Sequence, residues 1–281
     1  MTCYSLAVFG RKAIPLTAVQ PLTVGLTDSG VGAVNREALV QMLAGVLGDD
    51  LLFDLRRYRQ GRRLQRGQYD AQVPERDLLG QWIPEGAVVL DIGANIGVYT
   101  RAISRIVGPR GCVHAFEPIP STYMMLIHNV RRFEHANVVT YNAAVTERSG
   151  VADMVLPPKG LLSIYWAHLP HDENDDGQRV RVQALALDDI ADALPRLDFM
   201  KCDAEGAELF VLRGAEQLLT RRRPTLLLEV GESCRNFGYK PQQVFDWLQE
   251  RGWRLQALGG DRNPTGKHPG HDPPNYLFTP A

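Results

Sequence analysis

The stretch Val88-Val89-Leu90-Asp91-Ile92-Gly93-Ala94-Asn95-Ile96-Gly97-Val98-Tyr99-Thr100 decides the fold of this chain. It begins as an apolar β-strand, passes through a glycine-rich turn and continues as a helix. A second predicted strand ends in Ala115-Phe116-Glu117-Pro118, which places Glu117 about 20 residues after the last glycine of the turn. Nucleotide-binding α/β folds have a carboxylate at this position that accepts hydrogen bonds from ribose hydroxyls. The two features together predict a cofactor pocket at the ends of the first two strands.

From residue 87 onward, apolar strands alternate with amphipathic helices. The strands are predicted at 88–92, 112–116, 137–141, 197–202 and 225–230, and the helices at 98–107, 121–133, 206–219 and 241–251. This alternation predicts an α/β fold with a doubly wound, mostly parallel sheet. Two further strand pairs are predicted, 151–156 with 180–185 and 253–258 with 276–279. Ligands bind at the carboxyl ends of parallel strands, where five polar residues are expected: Asp91, Glu117, Asn142, Asp203 and Glu229.

Residues 1–80 do not follow this pattern. They are predicted to form a small N-terminal cap or substrate lid, with the cofactor-binding domain at 81–281. Apolar spacing predicts helices at 36–55 and 76–82 in the cap, and the arginine-rich run between Arg56 and Arg66 is a candidate for contacting an anionic group of the substrate. Loops at 157–178 and 259–275 interrupt the domain, and loops of this length are usually functional or disordered. We expect the cap and the first loop to select the substrate.

Composition limits the class of protein. The chain has 281 residues, of which 44% are hydrophobic, and a formal net charge of −1. These values suit one large core, and the charge provides no general attraction to nucleic acid or to an anionic membrane. The four cysteines lack metal-ligand spacing, and no apolar stretch reaches membrane-spanning length. We therefore expect a cytoplasmic protein with no nucleic-acid and no membrane partner. A homodimer is the oligomeric state that we consider.

The glycine-rich turn itself restricts the cofactor. A dinucleotide needs a second glycine two residues after the first, so that its pyrophosphate can approach the helix N-terminus, and this position is Asn95. Asp91, before the turn, would repel a phosphate and could bind an ammonium group. S-adenosylmethionine has an amino-acid end, a ribose and no phosphate. The turn therefore favours S-adenosylmethionine over a nicotinamide dinucleotide. A dinucleotide would instead indicate a dehydrogenase or a non-catalytic nucleotide-binding module.

Three motifs carry a family resemblance: Leu90–Thr100, Phe116-Glu117-Pro118 and Met200-Lys201-Cys202-Asp203-Ala204-Glu205-Gly206-Ala207-Glu208. With these motifs the chain resembles the FkbM-type S-adenosylmethionine-dependent methyltransferases. The resemblance implies a Rossmann-like class I methyltransferase sheet with an antiparallel last strand, and O-methylation of a sugar or small secondary metabolite. At Cys202 the family usually has an aliphatic residue. The candidate cofactor-binding residues are Asp91, Gly93, Asn95, Gly97, Tyr99, Thr100, Glu117, Asn142, Ala143 and Asp203.

Methylation of a hydroxyl requires that the acceptor lose its proton. A general base can take the proton, or a metal ion can acidify the hydroxyl. Asp203, Glu205 and Glu208 follow the fourth predicted parallel strand and are the candidate catalytic residues. Asp203 and Glu229, at neighbouring strand ends, are candidate ligands for Mg²⁺, which prefers carboxylates and water. An amine or a carboxylate, on a peptide or another molecule, stays open as the alternative acceptor.

Overall fold

A computed structural model of the chain describes residues 53–55, 57–69, 73, 75–156, 178–256 and 275–281. Most of the helix predicted at 36–55 and of the loops predicted at 157–178 and 259–275 lies outside these residues. The described residues from Arg57 onward belong to one compact unit. The division into a cap at 1–80 and a domain at 81–281 stays a prediction. No helix within the described ranges is long and apolar enough to cross a membrane.

The described residues contain ten β-strands in two sheets: β1 (Val88–Ile92), β2 (Cys112–Phe116), β3 (Val138–Tyr141), β4 (Ala144–Val145), β5 (Gly150–Leu156), β6 (Gln178–Leu185), β7 (Phe199–Cys202), β8 (Thr225–Glu229), β9 (Trp253–Gln256) and β10 (Asn275–Pro280). Seven of them form a sheet in the order β3-β2-β1-β7-β8-β10-β9. The first five strands in this order are parallel, and β10 is antiparallel to both of its neighbours. The predicted mostly parallel sheet with an antiparallel last strand is confirmed, as is the pairing of the last two strands.

The helices of the described residues are α1 (Arg76–Trp82), α2 (Val98–Val107), α3 (Pro120–Val130), α4 (Glu208–Arg213), α5 (Glu216–Arg222) and α6 (Pro241–Glu250), with 3₁₀ helices at Leu187–Ala193 and Glu232–Phe237. Residues 57–65 are also helical. The helices predicted at 76–82 and 98–107 are confirmed. In one core cluster, Leu79 of α1 and Ile83 pack with Val107 of α2 and Phe199 of β7. The segment before β1 therefore completes the core beside the central strands.

A separate three-stranded sheet has the order β4-β6-β5. β5 and β6 are antiparallel, which confirms the predicted pairing of 151–156 with 180–185, and β4 pairs with β6 in parallel. Met154 of β5 and Val182 of β6 are buried against Ile119 and Ala144. The small sheet thus places apolar side chains beside the loops that follow β2 and β3.

The prediction of one continuous helix at 206–219 is wrong, because the helix is interrupted at Gly214, between α4 and α5. The carbonyl oxygen of Gly214 accepts a hydrogen bond from the N–H group of Asp188 at 2.8 Å. The Asp188 carboxylate in turn accepts hydrogen bonds from the backbone N–H groups of Gln217 and Leu218, at 3.0 and 2.8 Å. Asp188 therefore caps the first turn of α5 from a distant segment, and helical periodicity does not reveal such a contact.

Replacement of Asp188 by alanine tests this cap. The substitution should lower the free energy of unfolding by about 1–2 kcal/mol, because two helical N–H groups lose their acceptor. Urea denaturation followed by circular dichroism measures the change. Asp192→Ala is the matched control, since Asp192 lies in the same 3₁₀ helix but forms only an exposed ion pair with Arg221, and such pairs contribute little. Equal losses of stability in the two variants would contradict the capping role.

Candidate active site

A cleft opens at the carboxyl ends of β1, β2 and β7. Its lining residues are Ile92, Gly93, Asn95, Phe116, Glu117, Pro118, Ile119, Ala143, Ala144, Val145, Met154, Asp203, Ala204, Glu205 and Ala207. Six of the predicted site residues are therefore brought together here: Gly93, Asn95, Glu117, Ala143, Asp203 and Glu205. The other predicted residues lie around the cleft without lining it, and their contacts are described below.

Gly93 brings the turn after β1 into direct backbone contact with the end of β7. Its φ angle is +74°, and a Cβ atom at this position would lie 1.9 Å from the carbonyl oxygen of Asp203. The N–H groups of Gly93 and Ala94 donate to the carbonyl oxygen of Phe116, at 3.1 and 2.9 Å. No other residue type fits at Gly93, because both the positive φ angle and the close approach exclude a side chain.

Asn95 and Gly97 shape the rest of the turn. Asn95 has a φ angle of +50°, and its side-chain Oδ1 accepts a hydrogen bond from the N–H group of Ile96 at 2.8 Å. Gly97 precedes α2 with a φ angle of +92°, and a Cβ atom there would lie 2.9 Å from the Leu126 side chain. The Asn95 side chain thus supports the turn, and Gly97 allows α2 to approach α3.

Glu117 is buried at the end of β2, and its carboxylate accepts two backbone hydrogen bonds. Oε2 accepts from Asn95 N–H at 3.0 Å, and Oε1 accepts from Ile119 N–H at 2.9 Å. Burial raises the pKa of Glu117 to about 7, although these hydrogen bonds oppose the change. Asn142 holds the same segment, since its Nδ2 donates to the carbonyl oxygens of Glu117 and Pro118, both at 2.9 Å.

Asp91 lies within β1 and does not line the cleft. It is fully buried, and its Oδ2 accepts a hydrogen bond from the Thr100 hydroxyl at 2.6 Å. Its Oδ1 is buried without a hydrogen-bond partner among the described residues. Burial raises the pKa of Asp91, and the nearby charge of Lys201 opposes the change. The structure therefore shows Asp91 and Thr100 as a buried pair with one uncommitted carboxylate oxygen.

Tyr99 faces a buried polar network next to this pair. Its hydroxyl donates to Glu75 Oε2 at 2.7 Å and accepts from Asn275 Nδ2 at 3.2 Å. The Lys201 ammonium group lies 4.8 Å from the centre of the Tyr99 ring and donates to Asp203 Oδ2 at 2.8 Å. Tyr99 is thus connected to the cleft through Lys201 and Asp203. Sequence patterns did not identify Glu75 or Asn275 as part of the site, because neither belongs to a motif.

The two glutamates that follow β7, Glu205 and Glu208, have different surroundings. Glu205 lines the cleft with a φ angle of +51°, and its carboxylate forms no hydrogen bond or ion pair with the described residues. Burial raises its pKa to about 7. Glu208 is 1% exposed, and its Oε1 accepts from the N–H groups of Ala204 and Gly206 at 3.0 and 3.1 Å. Glu208 therefore supports the turn that carries Glu205, and no contact supports its predicted catalytic role.

The structure gives no support for Mg²⁺ at Asp203 and Glu229. The described residues contain no group of three or more His, Cys, Asp or Glu side chains placed to hold a metal ion. The position of a cation next to Asp203 is taken by the Lys201 ammonium group. Glu229 ends β8, and burial raises its pKa to about 8, with the negative charge of Asp203 adding to the effect.

The sheet and its cleft define a class of protein. A mostly parallel sheet with an antiparallel last strand, a glycine-rich turn after the first strand and an acid after the second are the features of the class I methyltransferase fold. A family model described as the methyltransferase FkbM domain matches residues 91–255, which is more than half of the chain, and the chain belongs to this family. The resemblance carried by the three sequence motifs is confirmed.

Individual relatives match parts of the chain. Methyltransferase 1 of Beauveria bassiana is 25% identical over 150 residues, which cover 47% of this chain and 60% of that protein. Methyltransferase sdnD of Sordaria araneosa is 26% identical over 201 residues, with 62% and 76% covered. The AMB antimetabolite synthetase AmbE of Pseudomonas aeruginosa is 28% identical over 193 residues, which cover 57% of this chain and 9% of the synthetase. The chain thus matches less than two thirds of the first and third of these proteins.

Two solved structures align with this chain at TM-scores below 0.5. The FkbM methyltransferase from Methylobacillus flagellatus KT is 17% identical, with a TM-score of 0.44 and coverage of 69% of this chain and 44% of that chain. The cofactor-bound structure of Rv0187 from MTB is 15% identical, with a TM-score of 0.44 and coverage of 88% and 98%.

The raised pKa values of the glutamates predict how stability depends on pH. The pKa is about 7 for Glu117, Glu205 and Glu208 and about 8 for Glu229, and burial is the main cause at each. A carboxyl group with a higher pKa in the folded than in the unfolded state binds more protons when folded. Its stabilising contribution is therefore complete below the unfolded value and is lost as the pH rises through the folded value.

Urea denaturation of the ligand-free protein should accordingly give a lower free energy of unfolding at pH 8 than at pH 5.5. Glu205→Gln removes one titrating group and should make this dependence shallower. Glu134→Gln, at an exposed position, should leave the dependence as in the wild type. A wild-type free energy of unfolding that increases from pH 5.5 to pH 8 would contradict the prediction.

Proposed function

We propose that the protein transfers the methyl group of S-adenosylmethionine to a hydroxyl group of a small metabolite or sugar. One observation carries the proposal. The described lining of the cleft contains the carboxylates of Glu117, Asp203 and Glu205 and no Lys, Arg or His side chain. This environment attracts a cofactor with sulfonium and ammonium groups, and it repels the pyrophosphate of a dinucleotide. A nicotinamide-dependent dehydrogenase is therefore the weaker alternative.

The residues present fit S-adenosylmethionine. Each oxygen of Glu117 accepts one backbone hydrogen bond, and a carboxylate oxygen can accept two, so that capacity for ribose hydroxyls is left. Ile119, Val145 and Met154 give one wall of the cleft an apolar surface, which suits an adenine ring. Asp91 is fully buried and does not line the cleft, so its predicted role toward the ammonium group would be indirect. S-adenosylmethionine, when bound, supplies a methyl group that is already activated for displacement.

Glu205 is the best candidate for the general base. Its carboxylate is in the cleft and has no other partner among the described residues, so it is available to accept the proton of an acceptor hydroxyl. Its pKa of about 7 matches the general rule that a catalytic base works best near the operating pH. Asp203 is paired with Lys201. Glu208 is 1% exposed and does not line the cleft, so an acceptor bound in the cleft would not reach it.

The acidic cleft also bears on the choice of acceptor. A cationic amine would be attracted by the same carboxylates and is the second candidate, whereas a carboxylate acceptor would be repelled. The match to part of AmbE, an antimetabolite synthetase, supports a role in the biosynthesis of a secondary metabolite.

We extend the proposal to acceptor selection by residues 1–80 and the loop at 157–178. A cytoplasmic enzyme without nucleic-acid or membrane partners, and a homodimer, are parts of the same proposal.

Replacement of Glu117 by alanine tests the cofactor assignment. The loss of hydrogen bonds to a charged acceptor costs about 1.5–3 kcal/mol, so the affinity for S-adenosylmethionine should fall by roughly ten- to a hundredfold. Isothermal titration calorimetry measures it, with NAD as the comparison ligand and Glu134→Ala as the surface control. The circular dichroism spectrum checks that the variant folds. Unchanged affinity in folded Glu117→Ala, or tight binding of NAD by the wild type, would refute the assignment.

Replacement of Glu205 by glutamine tests the general base. The variant keeps the size of the side chain but cannot accept the proton, so turnover should fall by about a hundredfold or more, while affinity for S-adenosylmethionine stays nearly unchanged. The rate is measured as S-adenosylhomocysteine release with whichever hydroxylated metabolite or sugar the wild type methylates. Wild-type turnover should decline as the pH falls below about 7, because protonated Glu205 is inactive. Normal turnover in Glu205→Gln would exclude this role.

A further inference from the structure

Lys201 is a charged residue in a parallel strand that is otherwise apolar at its centre. It lies in β7, between Asp91 of β1 and Leu227 of β8 in the register of the sheet, and it is 2% exposed. An ammonium group at such a position loses its hydration, and charged or hydrogen-bonding partners have to offset that cost. The partners of Lys201 therefore indicate what its charge does.

The ammonium group of Lys201 is held from several sides. Its Nζ donates to Asp203 Oδ2 at 2.8 Å and lies 4.8 Å from the centre of the Tyr99 ring. Tyr99 is itself fixed by hydrogen bonds with Glu75 and Asn275, which come from opposite ends of the described chain. These contacts direct the ammonium group at the Asp203 carboxylate.

The charge of Lys201 and those of its neighbours act on each other. Burial lowers the pKa of Lys201, but the facing carboxylates of Asp203, Asp91 and Glu229 outweigh this effect and raise it. Lys201 therefore stays protonated and remains a positive charge. Its charge lowers the pKa of the surrounding acids, which are Asp91, Glu117, Glu205 and Glu229.

The other charges that act on Glu205 and Glu229 are negative. Burial is the largest cause of the raised pKa of both residues, and Asp203 and Glu208 raise it further. Glu117 adds to the effect at Glu205, and Glu205 adds to the effect at Glu229. Among the described groups that act on these two glutamates, Lys201 is the only cation.

We propose that Lys201 is a positioning residue of the methyl-transfer site, whose ammonium group holds the Asp203 carboxylate at the cleft and places a buried positive charge next to the acids that follow β7. The proposal rests on the function proposed above, since a general base at Glu205 has to be ionised to act. A methionine would fill a similar space at position 201 without the desolvation cost of an ammonium group. The contribution specific to Lys201 is therefore its charge, which is measurable at the neighbouring glutamates.

NMR titration of the glutamate side chains measures this effect without an acceptor. In the full-length protein labelled with carbon-13 at the glutamate carboxyl groups, Glu205→Gln and Glu229→Gln assign the two signals. Lys201→Met should raise both pKa values by about one pH unit, because an opposite charge close by lowers a carboxyl pKa by about 1–3 units. Lys240→Met, the same change at an exposed position, should alter neither. Unchanged pKa values of Glu205 and Glu229 in Lys201→Met would overturn the proposal.

A second comparison is needed if Lys201→Met does not fold. Misfolding could follow because Asp203 loses its ion-pair partner in this variant. Asp203→Asn removes the negative charge and should lower the pKa of Glu205 and Glu229. Addition of Lys201→Met in this background should raise both values again, and equal values in the single and double variants would overturn the proposal. Calorimetry with S-adenosylmethionine separates the two proposals. Failure of the wild type to bind it rejects the proposed function, whereas the titrations decide the role of Lys201.

Discussion

The close approach of the turn after β1 to the end of β7 is the constraint on which the rest of the site depends. Gly93 adopts a left-handed conformation and leaves no room for a Cβ atom against the carbonyl oxygen of Asp203. The same turn donates two hydrogen bonds to the end of β2. One short turn therefore ties together three neighbouring strand ends. Asn95, Glu117 and Asp203, which follow those strands, meet in one cleft as a consequence.

Local signals in the sequence were sufficient to predict the central sheet and the residues at its strand ends. β1, α2 and β2 have the predicted bounds, because apolar runs punctuated by glycines mark them. The remaining features depend on contacts between distant segments. Glu75 and Asn275, separated by 200 residues, meet at Tyr99, and Met154 reaches the cleft through the pairing of β5 with β6. The spacing of residues along the sequence does not reveal such long-range contacts, because they form only when the chain is folded.

The acidic lining of the cleft links ligand selectivity to stability. Burial disfavours the charged forms of Glu117, Glu205 and Glu229, and the negative charge of Asp203 disfavours them further. The ligand-free protein therefore carries an electrostatic cost that Lys201 offsets only in part. A ligand with sulfonium and ammonium groups would reduce this cost, whereas a phosphate would increase it. On the proposed function, the same arrangement favours a cationic cofactor, and the raised pKa values predict a less stable fold without it.

The acids of the site differ in what holds them, and this difference separates their roles. Glu117 and Glu208 accept hydrogen bonds from backbone N–H groups and so maintain the shape of two turns. Asp203 is paired with Lys201. Glu205 has a positive φ angle, which costs about 1–3 kcal/mol in a non-glycine residue, and its carboxylate has no partner among the described residues. Strain that presents an uncommitted carboxylate to a cleft is typical of a reacting group, which supports the proposed role of Glu205 as the proton acceptor.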